Sequence, residues 1–436
     1  MLLEFSTENF RSFRERSTLS FVAGPDASHR DTHCLSTGLK AIPWVTRGAA
    51  VYGANASGKS NLIFGLATMR NMVSQSTSLT EAQFAEFYTP FRLDPHTATE
   101  PTDFEISLLI SGVRYEYGFS YDGQRIRREW LTVYRTAKGQ SWFDREWDED
   151  LNEERWGTFS THFTGPRETW RRATRPQALF LTTAAQLNSD LLKPLLDWFS
   201  DGLVVLNSVG LLGLGFTLGR IDEAGFKERV LEVLRAADIH IADIKIEKKS
   251  GQQINFSFEA GKPPTVLAHE GLIPDIVFGH KVEGGETVYF DRRFESVGTQ
   301  MLFACIGPVL DAIEKGKLLV IDDVDSSLHP MVTRFIVSLF HDPVVSKKDA
   351  QLWVTTHDVS LLDTDVMRRD QFWFVDKDEK QASALVPLTD FSPRKNEALE
   401  RGYLRGRYGG VPFISSLRRS MPGTAGVDPV RLCLKV

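Results

Sequence analysis

Residues 2–10 alternate, with Leu3, Phe5 and Thr7 on one side and Glu4, Ser6 and Glu8 on the other. A period of two predicts a half-exposed strand. Asn9-Phe-Arg-Ser-Phe13 follows as a turn, and a second strand is predicted over 17–22. Residues 24–47 are polar and loop-like, and 49–52 form a short apolar run that predicts a buried strand. A helix then runs to about Ser74. Alternation returns over 104–110 and 113–121, joined by Ser111-Gly112 as a hairpin. With a third strand over 130–134 this predicts an antiparallel β layer.

The middle of the chain predicts mixed elements. Leu187, Leu191, Leu195 and Phe199 recur every four residues, which predicts a helix over 179–199 kinked or split by Pro194. A second helix covers 223–237, with Phe226, Val230 and Leu234 on one stripe. Strands are expected at 244–247, 254–258 and 287–290. Further on, a helix over 300–314 is ended by Gly316. The apolar run 318–321 is a buried strand, 333–340 a helix, and 352–355, 372–375 and 384–388 strands.

Composition narrows the function classes. A chain of 436 residues supports two or three units or one large discontinuous domain. The net charge of −6 gives no global field toward nucleic acid, so such contacts would need local patches. Arg125, Arg127 and Arg128, and the run from Arg167 to Arg175 with Trp170, Arg171 and Arg172, are the candidates; short runs of this kind ordinarily form solvated faces. Cys34, Cys305 and Cys433 lie far apart without a C-x-x-C, which points to a reducing cytoplasm rather than zinc or a disulfide framework. His29, His33 and Cys34 are close in sequence but read as a surface loop. The N-terminus has no basic region and does not read as a signal peptide. Residues 202–219 carry no charge, yet glycines at 202, 210, 213, 215 and 219 break them into short strands rather than a membrane span.

The chemistry concentrates in Gly53-Ala-Asn-Ala-Ser-Gly-Lys-Ser60, which fits G-x-x-x-x-G-K-[ST] between a predicted strand and a predicted helix. Glycines let several N–H groups converge on one anion, and the helix N-terminus adds partial positive charge. Gly53, Asn55, Gly58, Lys59, Ser60 and Asn61 are the candidate nucleotide-binding residues. Lys59 would reach the β- and γ-phosphates and Ser60 would hold Mg²⁺. The strand 318–321 ends in Asp322 and Asp323. Asp322 is assigned to the Mg²⁺ shell and Asp323 to the attacking water. His357 ends the strand after that and is assigned a γ-phosphate contact. Ser296 and Gly298 open a helix and form a second anion site.

The order Asn9–Phe13 turn, phosphate loop, Ser296-Val-Gly-Thr299, Asp322-Asp323 with Asp325-Ser-Ser-Leu-His-Pro330, then Thr355-Thr-His357 resembles the ABC-type ATPase heads of the RecF/SMC/OLD group. More narrowly it resembles the stand-alone AAA-family ATP-binding proteins of abortive-infection and anti-phage operons, often found beside a nuclease-like partner of the RloB type. The resemblance covers roughly residues 1–415. It implies an α/β P-loop NTPase fold with an antiparallel β layer and an inserted α+β lid. The expected division is an N-terminal lobe over 1–134, a lid or arm over 135–290, a C-terminal lobe over 291–415 and a flexible tail over 416–436. It also implies that Ser296 and Gly298 are a signature motif acting on ATP held by a second subunit, that Asp325–His329 joins the two sites, and that Arg11 lies near the phosphates. The second acid is usually Glu in such heads, and here it is Asp323. ATP and Mg²⁺ are the expected cofactors. The expected partners are a second copy of the chain and a nuclease-like effector, with nucleic acid as a further option and no membrane. Residues 358–415 are too few for a fused metal-dependent nuclease domain. A RecF-like DNA-repair ATPase is the alternative function; a transporter subunit has no membrane segment to support it.

Overall fold

The chain is described from a computed structural model, covering residues 1–207, 213–257, 265–394 and 397–411, with side chains given outside 248–274. Its centre is a six-stranded sheet in the order β11-β15-β16-β5-β17-β18. These strands are β5 (Gly48–Tyr52), β11 (Leu203–Leu206), β15 (Leu318–Ile321), β16 (Gln351–Thr355), β17 (Phe372–Lys377) and β18 (Ser383–Pro387). The first five run parallel, and β18 returns antiparallel along the edge. Every residue of β5, β15 and β16 is buried. Such strands are apolar throughout because both faces of a parallel sheet must be covered.

Alternation along these strands divides the core in two. Ala49, Val51, Leu318, Val320, Trp353 and Val375 pack with Leu62, Ile63, Leu66 and Met69 of the helix Lys59–Gln75 and with the antiparallel sheet. Ala50, Tyr52, Leu319, Ile321, Leu352, Val354 and Phe374 belong to the other cluster, with the helices Val297–Lys315 and Pro330–His341. The helix Val297–Lys315 is long and apolar enough to cross a membrane, but most of it is buried in this core. Gly316, at φ 71°, closes it as expected from sequence.

The antiparallel sheet has the order β10-β9-β8-β7-β6-β1-β2. It contains β1 (Leu2–Glu8), β2 (Ser17–Ser20), β6 (Thr102–Ile110), β7 (Val113–Tyr121), β8 (Ile126–Tyr134), β9 (Gln140–Asp148) and β10 (Glu153–Trp156). Ser111 and Gly112, at φ 50° and 78°, make the tight turn between β6 and β7. A third sheet is formed by β12 (Asp243–Ser257), β13 (Thr265–Lys281) and β14 (Thr287–Asp291), and β3 (Cys34–Ser36) pairs with β4 (Trp44–Thr46).

Several expectations need correction. Strand β1 is not half-exposed: it lies between β2 and β6, and Ser6 on its polar side is buried. Residues 24–47 are not simply a loop. They hold the turn of helix Arg30–His33 and the β3–β4 hairpin, and both His33 and Cys34 are buried. The His33 ring stacks on His341 with centroids 3.9 Å apart, so the cluster packs against a distant helix instead of facing solvent. The helix expected over 179–199 is two, Phe180–Gln186 and Lys193–Asp197, with Pro194 in the first turn of the second, where a missing N–H is tolerated, and with Leu187 exposed. Strands β9, β10 and β13 were not anticipated, and of the short strands expected over 202–219 the described residues hold Leu203–Leu206, while Leu214–Arg220 is a helix. Of the stretch 135–290, residues 140–156 thus extend the antiparallel sheet and Leu203–Leu206 forms an edge of the parallel one. The tail 416–436 and Phe258 lie outside the described residues.

Candidate nucleotide-binding site

Strand β5 delivers the phosphate loop at the carboxyl edge of the parallel sheet, and the helix Lys59–Gln75 begins inside the motif. Gly58 adopts φ 121°, and a Cβ there would collide with the Ser383 hydroxyl and lie 2.9 Å from Ser12 Oγ. Only glycine fits that combination of backbone and space. Ser12 and Ser383 are themselves joined. The Ser12 and Ser383 hydroxyls are hydrogen-bonded to each other at 2.8 Å, Ser383 N donates to Ser12 O at 2.7 Å, and Asn61 Nδ2 donates to Ser12 Oγ at 2.8 Å. The N-terminal turn and β18 therefore wall the loop from one side.

Lys59 is buried at 5% exposure. Its ammonium donates to Gly53 O at 3.1 Å, to Ala54 O at 3.4 Å and to His357 Nε2 at 2.9 Å. An ammonium has only hydrogens to offer, so His357 accepts through an unprotonated Nε2. Burial and the neighbouring Lys59 charge both hold His357 below its ordinary pKa. Burial lowers that of Lys59, against the pull of Asp323, Asp322 and Asp325.

The acids sit at the end of β15. Asp322 Oδ1 accepts from the Thr355 hydroxyl at 2.6 Å, and that hydroxyl accepts from Asp323 N at 2.8 Å. Asp323 has a left-handed backbone, φ 47°. Partial burial and the adjacent Asp322 raise its carboxyl above the usual range, with Lys59 and His357 opposing. Asp325 accepts the backbone N–H of His357 at 3.2 Å. The loop, the two-acid turn and the third strand end are thus brought together within one hydrogen-bonded group.

Arg11 lies beside this group. It also has a left-handed backbone, φ 50°; its guanidinium covers the Phe64 ring at 4.3 Å and donates to Asn61 Oδ1 at 3.5 Å. Asn55 is exposed at the tip of the loop and Ser60 is half-buried. Ser296 and Gly298 are elsewhere. Ser296 Oγ caps its helix by accepting from Thr299 N at 3.1 Å, and a Cβ on Gly298 would lie 3.3 Å from Ser327 O, so this helix start abuts the loop after the acids. Among the described residues no hydrogen bond or ion pair joins Ser296 or Gly298 to the phosphate loop. Phe294 and Val297 beside them are 70% and 63% exposed.

Sequence reasoning gave no roles to Thr355, Ser12, Ser383 or Gly410. The first lay in plain view in Thr355-Thr-His357. The others approach the loop only through the fold: Gly410, held by Asp376 through its N–H at 3.0 Å, rests against Gly53.

A sequence profile described as "AAA domain, putative AbiEii toxin, Type IV TA system" matches residues 49–363. The chain belongs to this family. The matched span of this AAA-domain protein opens at β5 and includes the phosphate loop, the helix capped by Ser296, both acids and His357. The family places the chain among ATPases that take ATP with Mg²⁺. Among solved structures it is similar to the SMC head domain from Thermotoga maritima, at 15% identity and TM-score 0.39 over 88% of this chain and 98% of that one. No curated protein matches.

Two features of this AAA-domain chain fit Mg²⁺–ATP. The Lys59 ammonium spends its hydrogens on neutral acceptors, and the buried Ser57 Oγ has no partner. Among the described residues no group of three or more His, Cys, Asp or Glu side chains is placed to hold a metal. Mg²⁺ does not need one, since it commonly binds through one or two carboxylates plus substrate phosphates and waters.

Proposed function

We propose that the chain is an ATP-hydrolysing ABC-type head that closes on a second copy around ATP and gates a separate effector protein. The observation that carries this is the hydrogen-bonded convergence of Lys59, His357, Asp322 and Asp323 at the carboxyl edge of the parallel sheet. That edge is where open α/β sheets bind ligands. Lys59 binds the β- and γ-phosphates, Asn55 and the loop N–H groups from Gly53 to Asn61 cradle them, and Arg11 supplies a further positive charge at the rim. Ser60 and Asp322 would hold Mg²⁺, which neutralises charge on the phosphate oxygens when bound. Asp323 orients the attacking water and takes its proton, a role its raised pKa favours. His357 exchanges its contact with Lys59 for one with the γ-phosphate. Ser296 and Gly298 act on the nucleotide of the second copy.

The family description, with its AbiEii and type IV toxin–antitoxin terms, supports a role in abortive infection or anti-phage defence; a cytoplasmic location and a nuclease-like effector as partner complete the proposal. The arginines of the first basic run are occupied: Arg127 pairs with Asp122 and Glu149, Arg128 with Asp144, and Arg125 lies over Trp147 at 3.4 Å. They do not favour the DNA-binding alternative.

Titration with a fluorescent ATP analogue tests the assignment. Lys59→Ala removes the charge and leaves only N–H donors, so affinity is expected to fall at least about tenfold, the equivalent of one charge-assisted hydrogen bond. Unchanged affinity in a folded variant removes the phosphate-loop reading.

A further inference from the structure

We propose that Thr355 is a positioning residue for both acids, its single hydroxyl holding Asp322 for Mg²⁺ and Asp323 for water. The inference rests on the ATPase reading above. Thr355 is the last residue of β16 and is fully buried. A hydroxyl has one hydrogen and two lone pairs. Asp323 N–H can only donate, so it takes a lone pair at 2.8 Å, and the hydrogen goes to Asp322 Oδ1 at 2.6 Å. One side chain thus fixes the carboxylate of the first acid and the backbone of the second.

The same residue also holds the turn through its main chain. Val324 N donates to Thr355 O at 3.0 Å. Between these two anchors Asp323 adopts φ 47°, in the left-handed region that residues other than glycine, asparagine and aspartate rarely visit. In an extended strand, neighbouring side chains point to opposite faces. The left-handed residue interrupts that alternation, and both carboxyls act on Lys59. With Oδ1 of Asp322 spent on Thr355, the rest of that carboxylate is left for a cation. Thr356, also buried, instead accepts from Asp358 N at 2.9 Å, so the two threonines are not interchangeable.

The test compares Thr355→Val, which keeps the shape without the hydroxyl, with Thr355→Ser, which keeps the hydroxyl. The first readout needs no turnover: the affinity of a fluorescent ADP analogue with Mg²⁺ relative to its affinity in EDTA. The valine variant is expected to lose at least about tenfold of the Mg²⁺-dependent gain, in the range found when partners of metal ligands are removed. Its single-turnover ATP cleavage is expected to fall by a similar factor. The serine variant is expected to stay within about threefold of wild type on both. If the valine variant does not fold, Thr355→Cys, whose S–H is a weak donor, is expected to show the same two losses. Wild-type Mg²⁺ dependence and cleavage in a folded valine or cysteine variant overturn the proposal, as does a serine variant as impaired as the valine one. A wild-type chain that binds no nucleotide overturns instead the ATPase reading beneath it.

Discussion

At the level of single residues, the site turns on small differences in reach. Asp323 is one methylene shorter than the Glu that ABC-type heads usually carry there. Its left-handed backbone is bonded to Thr355, and nothing in that bond lengthens the side chain. A water held slightly off the line of attack costs on the order of a hundredfold in rate. We therefore expect slow turnover in the wild type. Asp323→Asn should keep nucleotide affinity, because the amide still hydrogen-bonds water, and should lose cleavage by about 100-fold or more because it cannot take the proton. Single-turnover ATP cleavage measures this. Cleavage at the wild-type rate in that variant would transfer the water-positioning role to His357.

Pairs of elements hold the site by contacts that carry a pH signature. The short helix Arg30–His33 docks on the helix Pro330–His341 through the stacked rings of His33 and His341. Burial lowers the pKa of His33 to about 4, and that of His341 well below the ordinary value. Both folded values are lowered, so the unfolded chain takes up protons near pH 6.5 that the folded chain refuses. The stability this pair lends is complete above about pH 6.5 and is lost as pH falls from there toward 4, at up to about 1.4 kcal/mol per pH unit for each site. Asp103, raised to about 6 mainly by burial, titrates in the opposite sense over part of the same window. The comparison that isolates the histidines is therefore wild type against His341→Gln. Melting temperature should fall more steeply between pH 6.5 and 4 in the wild type. Parallel pH profiles would show that the buried pair is not what the acid opposes.

For the whole molecule, the placement of Ser296 matters most. It caps a helix whose start abuts the loop after the acids, with Phe294 and Val297 exposed on either side. Large apolar side chains exposed beside a polar helix start suit contact with a second copy. We expect Ser296→Arg to bind the ATP analogue with an affinity within about threefold of wild type, since among the described residues the cap makes no hydrogen bond to the phosphate loop, while hydrolysis falls at least about tenfold. Mixing this variant with Lys59→Ala should restore part of the activity, since one composite site per dimer would then be intact. A mixture that stays inactive although both variants fold and associate rules out action in trans.

How much of this was legible in the sequence depends on the range of the interactions. The phosphate loop, its flanking strand and helix, the apolar run ending in Asp322 and Asp323, and the Gly316 stop are local patterns. Backbone geometry and a two- or four-residue period dictate them without help from distant residues. Strands β9, β10 and β13 pair with their neighbours in sequence and escaped because their residues carry no clean two-residue period, whereas the place of β11 at the edge of the parallel sheet is set by Leu318–Ile321, far along the chain. The burial of His33 escaped for the same reason, since the ring that covers it comes from residue 341. Sequence named Lys59, Asp322, Asp323 and His357 separately. The tertiary structure alone decided that Lys59 and His357 touch, that Ser12, Ser383 and Gly410 wall the loop, and that one buried Thr355 hydroxyl ties both acids together. A hydrogen bond is fixed to a few tenths of an ångström, and chain segments some 30 to 370 residues apart meet at that precision only when both layers of the core are packed.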